Sequence, residues 1–410
     1  MNSYIFLASS LHTPGGAPLY MAEKARVLTA RGWKVRMFAF TPGSPLDFLA
    51  PYSGGYLPEL EFPYHVATPA VRRRAFRNIC SGLFLGDTVV VESCNPHLAL
   101  WGEALAAYAG GRHIAFMLNE VVRDIPVYRP LLRHKLADGA LFGIFPGSVN
   151  ALFPDADPDA SSLLAIGCGL NPKSDAACPG IDSLPDADLS ILLISRLEKP
   201  SLRAVVSGVG EFCSRFPNRS FRLVLVGGTP YAKASLEISA ALRAIPNLRA
   251  LMTGALSPIP QAVFRASDLF VGNSGALFVA AAEHLPCIAV DASGASMGIY
   301  GQDTDRALYP DSPSSESLAD TIARFFAMPA EARRAAGDAA AECVERTLDR
   351  EEGLRRHISL LSSPAGSSLF SADSVRPHGF IHSAMRFLLR LGAFRSLLLL
   401  KEIKRNLKAY

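Results

Sequence analysis

Two cations stand three residues apart directly after the strand-like run LSILLIS, at Arg196 and Lys199. The forked donors of arginine and the point charge of lysine both suit a diphosphate. Ligands of open α/β sheets collect at the carboxyl ends of the strands, where this pair stands. The pair therefore predicts a phosphate site, although ordinary surface charge explains the same residues about equally well.

Two glycine pairs also follow strand-like runs. Gly15 and Gly16 come after YIFLASSL, and Gly227 and Gly228 come after FRLVLV. Glycine lets the backbone approach a ligand closely, and a helix that begins at such a turn offers free N–H groups to an anion. Both pairs are predicted to contact a nucleotide or its phosphates, with a tight turn as the alternative explanation.

A fourth segment, Asn273, Ser274 and Gly275, follows the run DLFVG and leads into the small-residue sequence ALFVAAAEHL. Small residues let a helix lie close to a sheet, and its first N–H groups together with the serine hydroxyl suit a phosphate. Glu283, near the end of that helix, is either a further contact to the same ligand or a solvated last-turn residue.

Polar side chains at strand ends of the first half are candidates for a general base, which must reach the proton that it removes. His97 follows TVVVES and Glu120 follows HIAFML, and we take both as catalytic candidates. Helix capping or a core position is the alternative for each. The sequence shows neither a metal-ligand set nor a nucleophile triad, so we expect no metal and no cofactor.

These segments lie in two series of alternating strands and helices. The first 40 residues run strand, glycine turn, amphipathic helix and strand, a βαβ unit that implies a parallel sheet with a right-handed crossover. Further strands are predicted at 88–93, 113–118, 140–146, 189–195, 221–228, 248–254, 268–273 and 287–292. The predicted fold class is α/β, with two doubly wound, Rossmann-like domains.

Length and composition support two domains. A chain of 410 residues exceeds the size of about 250–300 residues at which single cores stop growing. With 49% hydrophobic and 19% charged residues it has the composition of a globular protein. We predict an N-terminal domain at 1–175, a C-terminal domain at 186–350, a linker at 362–378 and a basic helical tail at 379–410.

Cysteine usage and hydropathy bear on the compartment. The seven cysteines are scattered and form no CxxC pair, which argues against a disulfide framework and favours a reducing, cytoplasmic environment. No uninterrupted apolar run reaches the length of about 18 residues that a membrane span needs. We therefore expect a cytoplasmic protein without a transmembrane helix.

The tail combines phenylalanine and leucine with many cations. A basic amphipathic helix of this kind can lie in a membrane interface, where its cations meet anionic lipid head groups. The alternative is that the tail packs back on the first domain. Its cations are Arg386, Arg390, Arg395, Lys401, Lys404, Arg405 and Lys408.

The order of these motifs resembles the family-4-type glycosyltransferases of the GT-B class. The glycine pair after the first strand is followed by GWKV, and the second half carries SRLEKP, LVLVGG, MTG and SDLFV in the same order, up to about residue 350. The resemblance implies a GT-B fold with a central cleft, in which 1–175 is the acceptor domain and 186–350 is the nucleotide-sugar donor domain. It also implies that Gly15 and Gly16 contact the donor phosphate or the acceptor, and that Arg196 and Lys199 grip the donor diphosphate.

The stretch from Ser274 to Pro286 departs from that family, whose members carry a glutamate, seven residues and a second glutamate before Gly-x-Pro. Pro286 follows Ser274 by only twelve positions, and neither glutamate has an equivalent. The compact stretch is more similar to heptosyltransferase-type GT-B enzymes. Asn273 stands where those enzymes have an aspartate, and Phe278 where they have a histidine. The departure leaves the donor sugar and the fine mechanism open.

The resemblance implies a metal-independent glycosyltransferase that moves a sugar from a nucleotide-diphosphate sugar to a glycolipid or polysaccharide precursor of the cell envelope. Its expected partners are the nucleotide sugar, a lipid-linked or saccharide acceptor and an anionic membrane surface, with no nucleic acid. Two alternatives stay open. A sugar-nucleotide epimerase of the same fold would need acid–base carboxylates, and the missing glutamates suggest a non-catalytic partner subunit.

Overall fold

The chain divides into two compact units in a computed structural model. Unit 1 comprises Met1–Gly169 and Asp349–Ile403, and unit 2 comprises Leu170–Leu348 and Lys404–Tyr410. The structure describes residues 2–83, 86, 88–117, 126–143, 152–154, 174–229, 231–305, 316–347, 370–375 and 379–409.

Unit 1 contains a sheet built from β1 (Asn2–Ala8), β2 (Trp33–Ala39), β3 (Ser53–Tyr56), β4 (Thr88–Ser93), β5 (Arg112–Met117) and β6 (Leu141–Gly143). Within the described residues the strand order is β3-β2-β1-β4-β5-β6, and every pairing is parallel. The central strands are apolar on both faces, because helices cover both sides of a parallel sheet. Tyr4 and Phe6 face one apolar cluster, and Ile5 and Leu7 face the other.

In the described part of unit 1 the helices before the tail are α1 (Gly16–Ala30), α2 (Pro69–Cys80), α3 (Pro96–Ala109) and α4 (Arg129–Ala137). Short 3-10 turns lie at Ala50–Tyr52 and Pro58–Glu61. Thr68 and Asn95 cap α2 and α3, since each side chain accepts a first-turn N–H group ahead of a helix that begins with proline. Gly110, in the left-handed conformation at φ 65°, ends α3.

The sheet of unit 2 consists of β7 (Leu189–Ile194), β8 (Phe221–Val226), β9 (Leu248–Gly254), β10 (Leu269–Gly272), β11 (Cys287–Val290) and β12 (Ser296–Ile299). Among the described residues the order is β12-β11-β10-β7-β8-β9, and β12 alone pairs antiparallel. The helices that the structure describes in unit 2 are α5 (Pro200–Arg215), α6 (Ala232–Arg243), α7 (Gln261–Arg265), α8 (Ser274–Ala281), α9 (Leu318–Phe326) and α10 (Ala330–Thr347).

The predicted fold class is confirmed, because each unit has a doubly wound, mainly parallel sheet. Every strand predicted from the sequence is present among the described residues, and the ends of two of them, at 118 and 144–146, lie outside those residues. The edge strands β3 and β12 were not expected, since β3 reads SGGY and β12 reads SMGI, and neither has the apolar run that marks a buried strand.

The tail forms two helices, α11 (Gly379–Arg390) and α12 (Phe394–Ala409), where a single basic helix was expected. Gly392, at φ 82°, ends α11 in a Schellman motif, in which Ala393 N donates to Leu388 O and Gly392 N donates to Leu389 O. Residues 370–375, inside the predicted linker, include the 3-10 turn Ala372–Ser374, whose Ala372 is buried in the core of unit 1. None of the helices in the described ranges is both long and apolar enough to cross a membrane.

Candidate functional site

The strand order of unit 2 places three of the predicted loops beside one another. The chain runs outward from β7 through β8 to β9, then returns to β10 on the other side of β7. The place where the strand order reverses, between β7 and β10, is the usual ligand position in an open α/β sheet, at the carboxyl ends of the strands. The loops that follow β7, β8 and β10 all leave the sheet at its carboxyl edge, the side on which these parallel strands end.

The loop after β7 presents Arg196 to solvent. The Arg196 side chain is 64% exposed, and its Nη1 lies 3.4 Å from Glu198 Oε1. Glu198 is more enclosed, and its Oε2 is buried without a hydrogen-bond partner among the described residues. Lys199 is the N-cap residue of α5, so the cation stands at the positive end of that helix. An anion at this edge would compete with Glu198 for the Arg196 guanidinium.

Gly227 has a packing role at the same edge. A Cβ atom on Gly227 would lie 1.8 Å from the carbonyl oxygen of Ser195, so only glycine lets the loops after β7 and β8 approach this closely. Ser195 N donates to Val226 O, and Leu197 N donates to Gly228 O. The Gly227–Gly228 turn therefore fixes the backbone that carries Arg196.

The loop after β10 leads directly into α8. Asn273 is the N-cap residue, but its side chain does not cap the first turn of the helix, and Asn273 Nδ2 instead donates to Asp291 O at 3.2 Å. Ser274 has φ 58°, a left-handed conformation that is costly for a residue other than glycine. Gly275 follows within the same turn. The first N–H groups of α8 thus receive no cap from the Asn273 side chain, and they lie at the carboxyl ends of the strands, where open α/β sheets usually bind ligands.

Glu283 lies beyond the other end of α8. Its Oε1 accepts a hydrogen bond from Gln261 Nε2 at 2.9 Å. An eight-residue helix is about 12 Å long, which separates Glu283 from Ser274 by that distance along the axis. The predicted contact of Glu283 with a donor stays a prediction.

Unit 1 repeats this topology with β1 and β4 at the reversal of strand order. Gly15 is the N-cap residue of α1, Gly16 is its first residue, and a Cβ atom on either would meet nothing within 4 Å. Asn95, after β4, donates from Nδ2 to Ser9 Oγ, after β1, at 2.7 Å. The two loops are therefore joined, and the space next to the Cα atoms of the glycine pair is open.

His97 lies in the first turn of α3, next to this position. Its Nε2 is 2.8 Å from Leu60 O, and its ring contacts Phe40 edge-on at 5.5 Å between centroids. Burial lowers the pKa of His97 to about 4. The imidazole is therefore neutral near pH 7 and donates from Nε2 to Leu60, which leaves only Nδ1 as a weak base. Glu120, the other catalytic candidate, lies outside the described residues.

A buried ion pair ties α1 to β4 beneath the glycine pair. Lys24 Nζ pairs with Glu92 Oε2 and donates to the Tyr20 hydroxyl at 2.9 Å, while the Tyr4 hydroxyl also donates to Glu92. Both charged side chains are 0% exposed. Sequence reasoning missed this pair. An acid inside an otherwise apolar parallel strand, and a lysine spaced four residues from Tyr20 and Leu28, were the available signals.

A second buried network holds α3. The Ser93 hydroxyl donates to His113 Nε2 at 2.9 Å, and His113 Nδ1 donates to Glu103 Oε2 at 2.9 Å. Lys135 Nζ lies 2.5 Å from the same oxygen, and Phe370 N donates to Glu103 Oε1 at 2.7 Å. The Glu103 carboxylate therefore fastens the segment before the tail to unit 1.

The comparisons with known proteins agree on the fold. A glycosyltransferase from Rickettsia africae superposes with a TM-score of 0.63 at 14% identity, over 90% of this chain and 99% of that one. Anabaena HepE in complex with UDP-glucose gives 0.58 at 14% identity, over 88% and 99%. The UDP-forming trehalose-phosphate synthase of Burkholderia vietnamiensis gives 0.57 at 13% identity, over 89% and 98%.

No protein-family model matches the sequence, and a search of curated proteins gives no match. The structural likeness nevertheless extends over nearly the whole of each solved chain. The chain has the fold of GT-B glycosyltransferases, which confirms the fold that the motifs implied.

Proposed function

We propose that this chain is a glycosyltransferase that takes a sugar from a nucleotide-diphosphate sugar held by unit 2 and transfers it to an acceptor held by unit 1. The observation that carries the proposal is the edge of unit 2 between β7 and β10. There the exposed Arg196, Lys199 at the start of α5 and the first turn of α8 stand at neighbouring strand ends. Solved neighbours of the same fold bind UDP and UDP-glucose.

The proposed role of unit 2 is to stabilise the leaving diphosphate. Transfer breaks the bond between the anomeric carbon and a diphosphate oxygen, so negative charge grows on that oxygen as the acceptor oxygen bonds to the carbon. Arg196 and Lys199 neutralise that charge, and the N–H groups of α8 donate to it. Gly227 and Gly228 hold the loop that carries the cations, and Asn273, Ser274 and Gly275 hold the opposite loop.

The proposed role of unit 1 is to hold the acceptor hydroxyl near Gly15, Gly16 and His97. His97 is a weak base at neutral pH, since its pKa is about 4 and its Nε2 is bonded to Leu60. The acceptor proton then passes to Glu120 or to an oxygen of the leaving diphosphate. The second route requires no protein base and fits transfer with retention of configuration.

The finer proposals concern the acceptor and the location. A glycolipid or polysaccharide precursor is the proposed acceptor, and the proposed enzyme is cytoplasmic and attaches peripherally to the inner face of a membrane. It uses no metal and no cofactor besides the nucleotide sugar. The basic, leucine-rich tail supports the peripheral location, because a lipid-linked acceptor is reached at a membrane surface.

Nucleotide-diphosphate binding tests the donor site. We expect Arg196→Ala to weaken binding of UDP or another nucleotide diphosphate about tenfold or more, since a charge-assisted hydrogen bond contributes roughly 1.5–3 kcal/mol. Glu198→Gln is the matched control and should tighten binding by up to about fivefold, because it removes the competing charge. Equal affinity of all three proteins, measured by calorimetry, would reject the site.

A donor panel tests the reaction itself. We expect slow hydrolysis of one nucleotide sugar without acceptor, and transfer when a lipid-linked or soluble saccharide acceptor is added. Interconversion of two nucleotide sugars without transfer would favour an epimerase. Nucleotide binding without turnover of any donor would favour a non-catalytic partner subunit.

A further inference from the structure

The tail is docked on unit 1 through one side of its two helices. Leu389 of α11 is buried against Phe62 and Val66, and it is joined there by the partly buried Met385, Phe394, Leu397 and Leu398. The inward positions of α12, at 394, 397, 398 and 401, follow the spacing of one helical face. One face of the tail is thus packed against unit 1.

Polar contacts hold this docked arrangement in register. Lys401 Nζ donates to Glu61 O at 2.8 Å, and His382 Nδ1 lies 3.2 Å from His65 Nε2. The Arg74 guanidinium stacks over the Phe394 ring at 4.4 Å. Contacts along both helices therefore fix which side faces solvent.

The opposite side of the tail is apolar and exposed. Phe380 is 87% exposed, Ile381 73% and Leu391 67%, and Phe380, Phe387 and Leu391 fall on one stripe of α11 and its end. In the described part of the chain, the large exposed apolar side chains outside the tail are the four scattered residues Tyr56, Tyr108, Tyr231 and Leu236. Those in the tail are Phe380, Ile381, Phe387, Leu388, Leu391, Leu399 and Leu400. Such a concentration marks an interaction surface.

The charge of this surface has one sign. No aspartate or glutamate lies between Asp373 and Glu402, whereas Arg390 and Arg395 are exposed beside the apolar residues. A second copy of this surface would bring the same positive charge against it. An anionic lipid surface meets both features, because aliphatic and aromatic side chains enter the acyl boundary while guanidinium groups bind phosphates.

We propose that the solvent-facing side of α11 and α12 is a docking surface for an anionic lipid bilayer, which it binds while the other side stays packed on unit 1. The residues that enter the lipid are Phe380, Ile381, Phe387, Leu388, Leu391, Leu399 and Leu400, called here the outer face. The inference rests on the peripheral location proposed above and is independent of sugar transfer. It resolves the choice between a membrane-bound and a packed tail, since the two sides do different things.

Vesicle co-sedimentation of the full chain, without donor or acceptor, tests the surface. Vesicles of pure phosphatidylcholine should bind the protein, and vesicles that also contain phosphatidylglycerol should bind it more tightly. Binding to these anionic vesicles should weaken as the salt concentration rises. Phe380→Ser combined with Leu391→Ser should weaken binding at least tenfold. These side chains are exposed, so the fold should persist. Tyr231→Ser combined with Leu236→Ser, on exposed residues of unit 2, is the matched control and should bind as the unaltered chain does.

A charge variant separates the two parts of the interaction. Arg390→Gln combined with Arg395→Gln should lower affinity for the anionic vesicles by about fivefold per cation and leave binding to pure phosphatidylcholine unchanged. The proposal is overturned if the full chain stays in the supernatant, or if the Phe380 and Leu391 variant binds as the control does. A lipid-free dimer that this variant dissociates would also overturn it, in favour of a second copy on the outer face.

Because binding is measured without substrates, its failure leaves the transferase proposal standing. If the chain binds vesicles but transfers no sugar, the transferase proposal fails and the docking surface stands.

Discussion

Unit 1 buries charged side chains and histidines beneath its loops, whereas the polar residues buried in the described part of unit 2 are serines and a threonine. In unit 2 they are Ser190, Ser201, Ser267, Ser296 and Thr321. In unit 1 they include Lys24, Glu59, His65, Glu92, Glu103, His113 and Lys135. The same topology is therefore fastened in two ways, by paired charges in unit 1 and by apolar packing with close backbone contacts in unit 2.

The difference matches the roles proposed for the two units. A buried charge is stable only while its partner is present, so it fixes the position of the helices that it joins. Arg196 lies at the surface of unit 2, where its guanidinium group can donate hydrogen bonds to a phosphate. Buried charge in unit 1 thus joins helices to strands, whereas the exposed Arg196 of unit 2 is available for the proposed phosphate contact.

The largest effect should come from breaking the ion pair under the glycine loop. Lys24→Met leaves Glu92 buried without its cation, and removal of one partner of a buried pair costs about 3–5 kcal/mol. Both tryptophans of the chain, Trp33 and Trp101, lie in unit 1, so urea unfolding followed by tryptophan fluorescence reports on that unit.

Lys24→Met combined with Glu92→Leu is the control, because it removes both charges together. We expect it to recover most of the lost stability. If the single variant unfolds at the same urea concentration as the unaltered chain, the buried pair does not fasten unit 1 and the comparison fails.

Acid should destabilise unit 1 before unit 2. Burial, together with the charge of Lys135, lowers the pKa of His113 to about 4 from an ordinary value of 6.5, against the opposing effect of Glu103. Between these values the unfolded chain binds a proton that the folded chain does not, so stability falls as pH drops from about 6.5 to 4. The shift corresponds to about 3 kcal/mol.

Glu103 extends the effect to lower pH. Burial favours its neutral form, but hydrogen bonds and charge from His113 and Lys135 outweigh burial and lower its pKa to about 2. The stability that the ionised Glu103 adds to the folded chain is present above pH 4.5 and is lost as pH falls toward 2. His113→Asn should reduce the loss between pH 6.5 and 4 without abolishing it, because His97 also has a pKa of about 4. If the urea midpoint of unit 1, followed by tryptophan fluorescence, does not change between pH 6.5 and 4, this prediction is wrong.

The sequence predicted the strands other than β3 and β12, because β1, β4, β7 and β8 are mostly apolar runs, which parallel sheets require. It also placed Arg196 and Asn273 at strand ends. It could not pair Lys24 with Glu92, since the two are 68 residues apart and only the fold brings them together. The outer face was hidden for a similar reason, because periodicity in a leucine-rich tail does not show which side is already covered.

A smaller effect is expected where unit 2 depends on close backbone contact. Gly227→Ala would place Cβ 1.8 Å from Ser195 O, so the loops must separate, at a cost of about 1–3 kcal/mol and with weaker nucleotide binding. Gly16→Ala in unit 1 is the matched control, since its Cβ meets nothing within 4 Å and should leave stability unchanged. Hydrogen exchange of the β8 amides measures the stability of the Gly227→Ala variant, and urea unfolding followed by tryptophan fluorescence measures that of the Gly16→Ala variant.

The smallest effect separates strain from function at the start of α8. Ser274 and His284 are the non-glycine residues with positive φ in the described part of the chain, at 58° and 57°. Glycine at either position should stabilise unit 2 by up to about 1 kcal/mol, because relief of a steric cost of about 1–2 kcal/mol outweighs the entropy cost of about 0.4–1 kcal/mol that glycine adds. His284 would lose only an exposed contact to Asp338.

The two variants should differ in nucleotide affinity. Ser274 stands at the proposed phosphate position and His284 beyond the other end of α8, so Ser274→Gly should weaken nucleotide-diphosphate binding and His284→Gly should not. Strain kept at Ser274 then has a functional reason, as does the exposed charge of Arg196. If both variants stabilise unit 2 and bind nucleotide like the unaltered chain, the Ser274 hydroxyl has no part in holding phosphate, and the backbone of α8 must do so alone.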